Sequence, residues 1–304
     1  MENRTGIYGR LSLLAAALIW GASFIMMKST LEDISPFYLL AVRFGAAAVI
    51  LAVVFFKRLI KLDRRGVVMG VVMGTLLYAA YLIQTFGLSF TTPGKNAFLT
   101  SVYCIIVPFL YWLIARKRPD IYHVAASAIC LAGIGLVSLD GNLRMGLGDL
   151  LTLVSGIFFA LHIISVAKYS QMRDIFALTI IQFAAAAVLG LLTGLAFSEP
   201  VGTISSDSIL SLIYLSVMAT AVALLLQNVG QKYTHPSTAA IILSLEAVFG
   251  VLFSVVIYGE RISLRVGCGF VLIFAAVVIS ETKLAFLKKK KRPDPDVNRG
   301  GERL

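Results

Sequence analysis

Seven stretches of this chain, residues 11–27, 66–94, 96–115, 150–167, 175–198, 208–231 and 247–259, contain no Asp, Glu, Lys or Arg. In a hydrocarbon layer every backbone N–H and C=O must be satisfied by protein, so only helices and closed barrels can span it. Blocks this long read as helices, because about 20 residues at 1.5 Å rise cross a core of ~30 Å. With 59% of residues hydrophobic and only 14% charged, the chain lacks the charge to cover a soluble domain. An all-α integral membrane protein is expected.

Charge clusters, Gly and Pro divide the chain into ten transmembrane helices. Their expected spans are 9–28, 35–56, 66–88, 95–115, 120–139, 149–169, 174–197, 208–231, 236–258 and 264–282. The block 66–94 is too long for one helix, and Gly87, Pro93 and Gly94 mark its turn. Positive loops stay cytoplasmic. With the N-terminus inside, 21 Lys and Arg fall in inner segments and five in outer ones (Lys28, Lys95, Arg144, Arg261 and Arg265), while Arg43 lies within a span. Both termini are therefore expected in the cytoplasm of a multi-pass plasma-membrane protein. The net charge of +11 follows from the inner loops and the Lys288–Arg292 run. That run reads as a contact for anionic lipid headgroups within a disordered cytoplasmic tail, 283–304, and not as a nucleic-acid site.

The chain also repeats itself. Gln84-Thr85-Phe86-Gly87 aligns with Gln227-Asn228-Val229-Gly230 at an offset of 143, and Thr91-Thr92-Pro93 with Thr234-His235-Pro236. Earlier in each half the offset is 139, where Trp20 faces Phe159, Ser23 faces His162 and Arg43 faces Gln182. Five helices per half is an odd number, so the second half crosses in the opposite sense. The expectation is two inverted five-helix repeats, 9–139 and 149–282, with the working site between them.

Polar groups inside spans are costly unless paired or lining a wet cavity. Arg43 in helix 2 is either bonded to helix carbonyls, snorkelling to the outer interface, or touching substrate. Glu246 is the one carboxylate deep within a span. It is either a hydrogen-bonded structural acid or a group for proton coupling or substrate. Its repeat partner Tyr103 shares a helix face with Asn96 and Thr100. His162 reads as a helix–helix contact or a ligand, opposite Ser23 beside Trp20. Gln84 and Gln227 are equivalent positions that suit interhelical amide bonds or a cavity wall. Tyr78 and Tyr81, at three-residue steps before Gln84, fit packing or an aromatic pocket. Trp20, Ser23, Arg43, Tyr78, Tyr81, Gln84, Asn96, Tyr103, His162, Gln227 and Glu246 form the candidate substrate-binding set.

Catalysis is not expected. Gly146-Leu147-Gly148-Asp149 has the string of an intramembrane aspartyl protease, but that chemistry needs two carboxylates and no second Asp falls within a helix. Asp149 reads instead as a first-turn acid. Cys104, Cys130 and Cys268 lack metal-ligand spacing and read as small apolar fillers. No metal or cofactor is expected, and oligomeric state is left open.

Leu18-Ile19-Trp20-Gly21-Ala22-Ser23-Phe24, Ala41-Val42-Arg43-Phe44 and the run Ser244-Leu245-Glu246-Ala247-Val248-Phe249 followed by Gly259-Glu260-Arg261-Ile262 resemble the EamA-type branch of the drug/metabolite transporter superfamily. The resemblance covers residues 9–282. It implies ten helices in two inverted repeats, a central cavity and secondary transport of small metabolites, often export. The family commonly has Glu-Pro in helix 9. Here Ala247 replaces the Pro, which removes the usual reason for a kink. The different-class alternative is a membrane scaffold or lipid-interacting subunit without transport.

Overall fold

The computed structural model describes residues 2–116, 118–138, 146–197, 204–258 and 263–283. Outside them lie Asn142 and Arg144, the Gly259–Ile262 part of the family-like run, and the tail with Lys288–Arg292. All regular structure among the described residues is helical. The elements are α1 (Glu2–Thr30), α2 (Pro36–Val54), α3 (Phe56–Leu59), α4 (Arg64–Ser89), α5 (Pro93–Thr100), α6 (Tyr103–Ala115), α7 (Ile121–Ser138), α8 (Leu147–Tyr169) and α9 (Ile175–Ala196). They continue with α10 (Ser206–Ser216), a π-helical turn at Val217–Val222, α11 (Ala223–Lys232), α12 (Pro236–Leu243), α13 (Glu246–Tyr258) and α14 (Leu264–Thr282). Seven segments are long and apolar enough to cross a membrane, and Ile121–Leu136, Pro236–Gly250 and Gly267–Ser280 are shorter apolar helices. Large apolar side chains such as Val53, Leu113, Leu195 and Phe274 are exposed, as a lipid-facing surface requires.

Local chemistry sets the ends. Asp63 caps α4 by accepting from the Gly66 N–H at 2.9 Å and binds Arg173 through both oxygens at 2.7 Å. Those bonds hold its carboxyl down at about 2. Pro36, Pro93 and Pro236 open α2, α5 and α12, where a missing N–H costs nothing. Asp149 accepts from the Gly146 N–H at 3.0 Å, the role of a first-turn acid.

Two expected spans are not continuous helices. The fourth breaks at Ser101–Val102 and the ninth at Ser244–Leu245, positions related by the 143-residue offset. No proline sits at either break. Three-residue backbone bonds tighten the chain there, Val102 N to Leu99 O and Cys104 N to Ser101 O in one repeat, Leu245 N to Ile242 O and Ala247 N to Ser244 O in the other. The serine hydroxyls bond back to Ala97 O at 2.9 Å and Ile241 O at 2.7 Å, competing with the regular ladder. Serine thus does locally what the absent proline was expected to do.

Packing repeats with the sequence. α2 packs on its counterpart α9, and α7 on its counterpart α14. α1 crosses α11 as α8 crosses α4. The last two crossings share one device. A Cβ on Gly148 would stand 2.6 Å from Gly87 O, and one on Gly230 would stand 2.6 Å from Gly9 O. Gly9 and Gly148, like Gly87 and Gly230, are repeat partners, so each crossing is a backbone-to-backbone approach that glycine alone permits.

Candidate functional site

A small cavity of about 30 Å³, room for little more than one water, lies between the two halves of the chain. Five repeat pairs line it: Trp20 with Phe159, Phe24 with Ile163, Gln84 with Gln227, Thr100 with Leu243, and Tyr103 with Glu246. A cavity walled by equivalent residues of both halves sits on the axis that relates them. The last two pairs flank the helix breaks, so each break aims a residue on either side of it inward. At the axis the Tyr103 hydroxyl donates to Glu246 Oε1 at 3.3 Å, a bond between repeat partners 143 positions apart.

The other four lining residues, Ser23, Met27, Arg43 and Tyr81, all come from the first half. Arg43 is 1% exposed. Its Nε donates to Thr220 Oγ1 at 2.9 Å, and its Nη1 lies 3.6 Å from Met27 Sδ. Its guanidinium carbon is 4.8 Å from the Tyr81 ring centroid. Thr220 belongs to the π-helical turn and bonds back to Leu215 O at 2.7 Å, which fixes the hydroxyl that receives Arg43. Among the described residues Arg43 forms no ion pair. Its partners are a hydroxyl, a thioether and ring faces, which solvate a cation without neutralising it. Trp20 is held by its indole N–H, which donates to Ala219 O at 2.8 Å in the same turn.

A family model described as the EamA-like transporter family matches residues 7–139 and again 146–282. The chain belongs to the EamA-like transporter family. That family is part of the drug/metabolite transporter superfamily. An uncharacterized transporter of Archaeoglobus fulgidus is 35% identical over 279 residues, covering 91% of this chain and 87% of the relative. The uncharacterized transporter YcxC of Bacillus subtilis is 24% identical over 91% of this chain and 93% of its own length. A solved crystal structure shares the fold with a TM-score of 0.78 at 16% identity, covering 92% of this chain and 98% of that one. This EamA-like protein is thus a multi-pass membrane transporter.

Three of the eleven candidate residues in this EamA-like chain lie off the cavity. Tyr78 pairs its hydroxyl with Thr193 on α9. Asn96 donates to Gln84 O at 3.2 Å and Thr152 Oγ1 at 2.8 Å, tying α5 to α4 and α8. His162 meets Gln182 Oε1 at 3.2 Å through Nε2, the helix–helix contact that was one of its two readings. Helical steps grouped Tyr78 with Tyr81 and Gln84, and Asn96 with Thr100 and Tyr103, but only Tyr81, Gln84, Thr100 and Tyr103 reach the cavity, while Tyr78 and Asn96 meet neighbouring helices. Of the cysteines, Cys104 and Cys130 are buried and Cys268 is exposed, so only the first two are core fillers. Phe24, Met27, Thr100, Phe159, Ile163 and Leu243 line the cavity without being candidates. The repeat offset was the available signal for Phe159, the partner of Trp20. An apolar lining residue such as Ile163 gives no signal of its own.

Proposed function

We propose that this protein is a secondary transporter working by alternating access, in which ten helices form two inverted repeats, 9–139 and 149–282, around the central cavity. Both termini lie in the cytoplasm, and the compounds carried, outward in net flow, are amino-acid-like or amphipathic. The observation that supports this reading is the cavity's chemistry. A guanidinium without an ion-pair partner among the described residues, Arg43, and a carboxyl, Glu246, line one small cavity with the Trp20, Tyr81 and Phe159 rings. A zwitterion with an apolar body is complementary to that set: its carboxylate suits Arg43, its ammonium suits Glu246 and its side chain suits the rings. Sites for small ligands measure about 300 Å³ or more, so this cavity must widen to load.

Purified protein in proteoliposomes is expected to move labelled aromatic or aliphatic amino acids. A preparation inert to amino acids, nucleosides and amphipathic dyes alike would instead favour the scaffold reading. Glu246→Gln separates two roles for the acid. If Glu246 serves as a hydrogen-bonded structural group, the amide accepts from Tyr103 equally well, and pH-driven transport persists within about twofold. If Glu246 carries a coupling proton, the variant loses pH-driven transport yet retains substrate exchange, which needs no net proton movement. If Glu246 also pairs the substrate's ammonium, as the cavity chemistry above requires, the variant weakens exchange and pH-driven transport alike, and this third outcome is the expected one. The orientation is tested by cysteine labelling: a reagent confined to the outside is expected to reach a cysteine at Ser206 and not one at Arg64.

A further inference from the structure

A crevice of about 550 Å³ lies at the end of the molecule where Arg173 binds Asp63, the cytoplasmic end in the proposed orientation. Four helices wall both this crevice and the central cavity. On α6, Tyr103 lines the cavity and Tyr111 the crevice, and on α8 the pair is Ile163 and Ala167. On α11 it is Gln227 and Gln231, and on α12 Leu243 and Pro236. Steps of four, seven and eight residues return to the same helix face. The two spaces therefore lie along one set of shared faces, and on α8 and α11 only about 6 Å of helix rise separates them.

Gln231 stands at that division. It is 1% exposed, and neither the nitrogen nor the oxygen of its side-chain amide has a hydrogen-bond partner. A buried amide is costly when its bonds are unmade, so a donor and an acceptor are held ready there. The repeat shows how the same place is closed at the other end. Lys28, the repeat partner of Ala167, donates to Leu88 O at 2.7 Å, Ser89 O at 3.1 Å and Thr91 O at 3.3 Å. Leu88, the repeat partner of Gln231, is fully buried. One end has a lysine tie and a leucine where the other has an alanine and an unpartnered amide.

We propose that the crevice is the loading mouth of the transport path, a second binding site for carboxylate-bearing amphipathic molecules, with Gln231 as the contact passed on the way to Gln227 and Arg43. This inference rests on the transporter reading above. Lys168 and Lys232 line the crevice and draw the carboxylate, and no carboxylate of the protein is among the described lining residues. Ile114, Ile164 and Pro236 face the apolar body. The Gln231 amide donates to the carboxylate through Nε2 and accepts from an ammonium at Oε1. The crevice already exceeds the ~300 Å³ of a small-ligand site, whereas the central cavity holds about one water. A substrate thus waits in the mouth before the centre widens.

Transport of labelled phenylalanine and leucine in proteoliposomes tests this, the crevice side being the one from which a cysteine at Arg64 is labelled. Gln231→Leu is expected to raise KM at least fivefold for loading from the crevice side. It is not expected to lower the melting temperature, because it removes an unpaired buried polar group. In an Ala167→Cys, Cys268→Ser chain, a charged, membrane-impermeant methanethiosulfonate is expected to slow transport at least fivefold from the crevice side and to do nothing from the other. Added phenylalanine is expected to slow that modification. A native chain that moves neither amino acid fails the transporter reading and takes this inference with it. Where the native chain does transport, a native KM in Gln231→Leu or undiminished transport after modification overturns the inference alone. Reaction of the cysteine with a lipid-soluble maleimide only would mean that lipid fills the crevice, which overturns it equally.

Discussion

Gly148→Ala is expected to destabilise the protein by about 1–3 kcal/mol, although the substitution places a better helix former inside a helix. The two effects oppose each other. Exchanging Gly for Ala in a helix gains about 1 kcal/mol of propensity. The new methyl, however, would stand 2.6 Å from Gly87 O and 2.8 Å from the carbonyl carbon of Phe90. Both are backbone atoms, so no rotamer change relieves the clash and α8 must move off α4. Steric cost wins. Gly230→Ala is expected to behave alike, because its methyl meets Gly9 O at the equivalent crossing. Gly94→Ala is the control: nothing lies within 4 Å of its Cβ, and it is expected to be neutral or slightly stabilising. Melting temperatures of the three variants in one detergent check the ordering. Native-like melting of Gly148→Ala would mean that the crossing is looser than described.

Trp20→Ala is expected to remove about 3–5 kcal/mol and, on the proposed function, to abolish stabilisation by added amino acids. Lipid is as apolar as the protein interior, so the loss is chiefly of packing and not of burial from water. The indole fills space between α1 and the π-helical turn and is 7% exposed, with its N–H on Ala219 O. Truncation leaves a hole beside the cavity and removes the indole bond to the turn that also holds Thr220 against Arg43. Trp20→Phe keeps most of the volume and loses only the hydrogen bond, about 1 kcal/mol. Its ligand response is expected to survive, since the repeat partner at this position, Phe159, is itself a phenylalanine. Ligand-dependent melting curves read both effects. An unaltered ligand response in Trp20→Ala would remove the cavity wall from the binding reading.

Much of this was legible in the chain because a bilayer narrows the choices. Uncharged blocks reported the helices, and the internal offset reported which positions are equivalent. The helix breaks were not legible. They depend on serine hydroxyls and three-residue bonds at Ser101 and Ser244, which no propensity marks, while the expected proline was absent. Arg43, Tyr81, Gln84 and Glu246 stood out as polar or aromatic groups in apolar surroundings, and the structure gathers them at one cavity. Tyr78, Asn96 and His162 stood out equally, yet Thr193, Thr152 and Gln182 engage them. A sequence shows that a buried polar group needs a partner without showing whether that partner is protein.

The unequal halves of the central cavity bear on how a guest would sit. A perfectly duplicated site would accept any asymmetric molecule in two poses, head to one side or head to the other, with equal energy. Arg43 faces Gln182 in the alignment, and Glu246 faces Tyr103, so the axis relates a cation to an amide and an acid to a phenol. Turning a zwitterion about that axis would carry its carboxylate from Arg43 to the Gln182 side and its ammonium from Glu246 to the Tyr103 side, losing both charge pairings. The shell preserves the old duplication, and four first-half side chains with one second-half acid give it a heading.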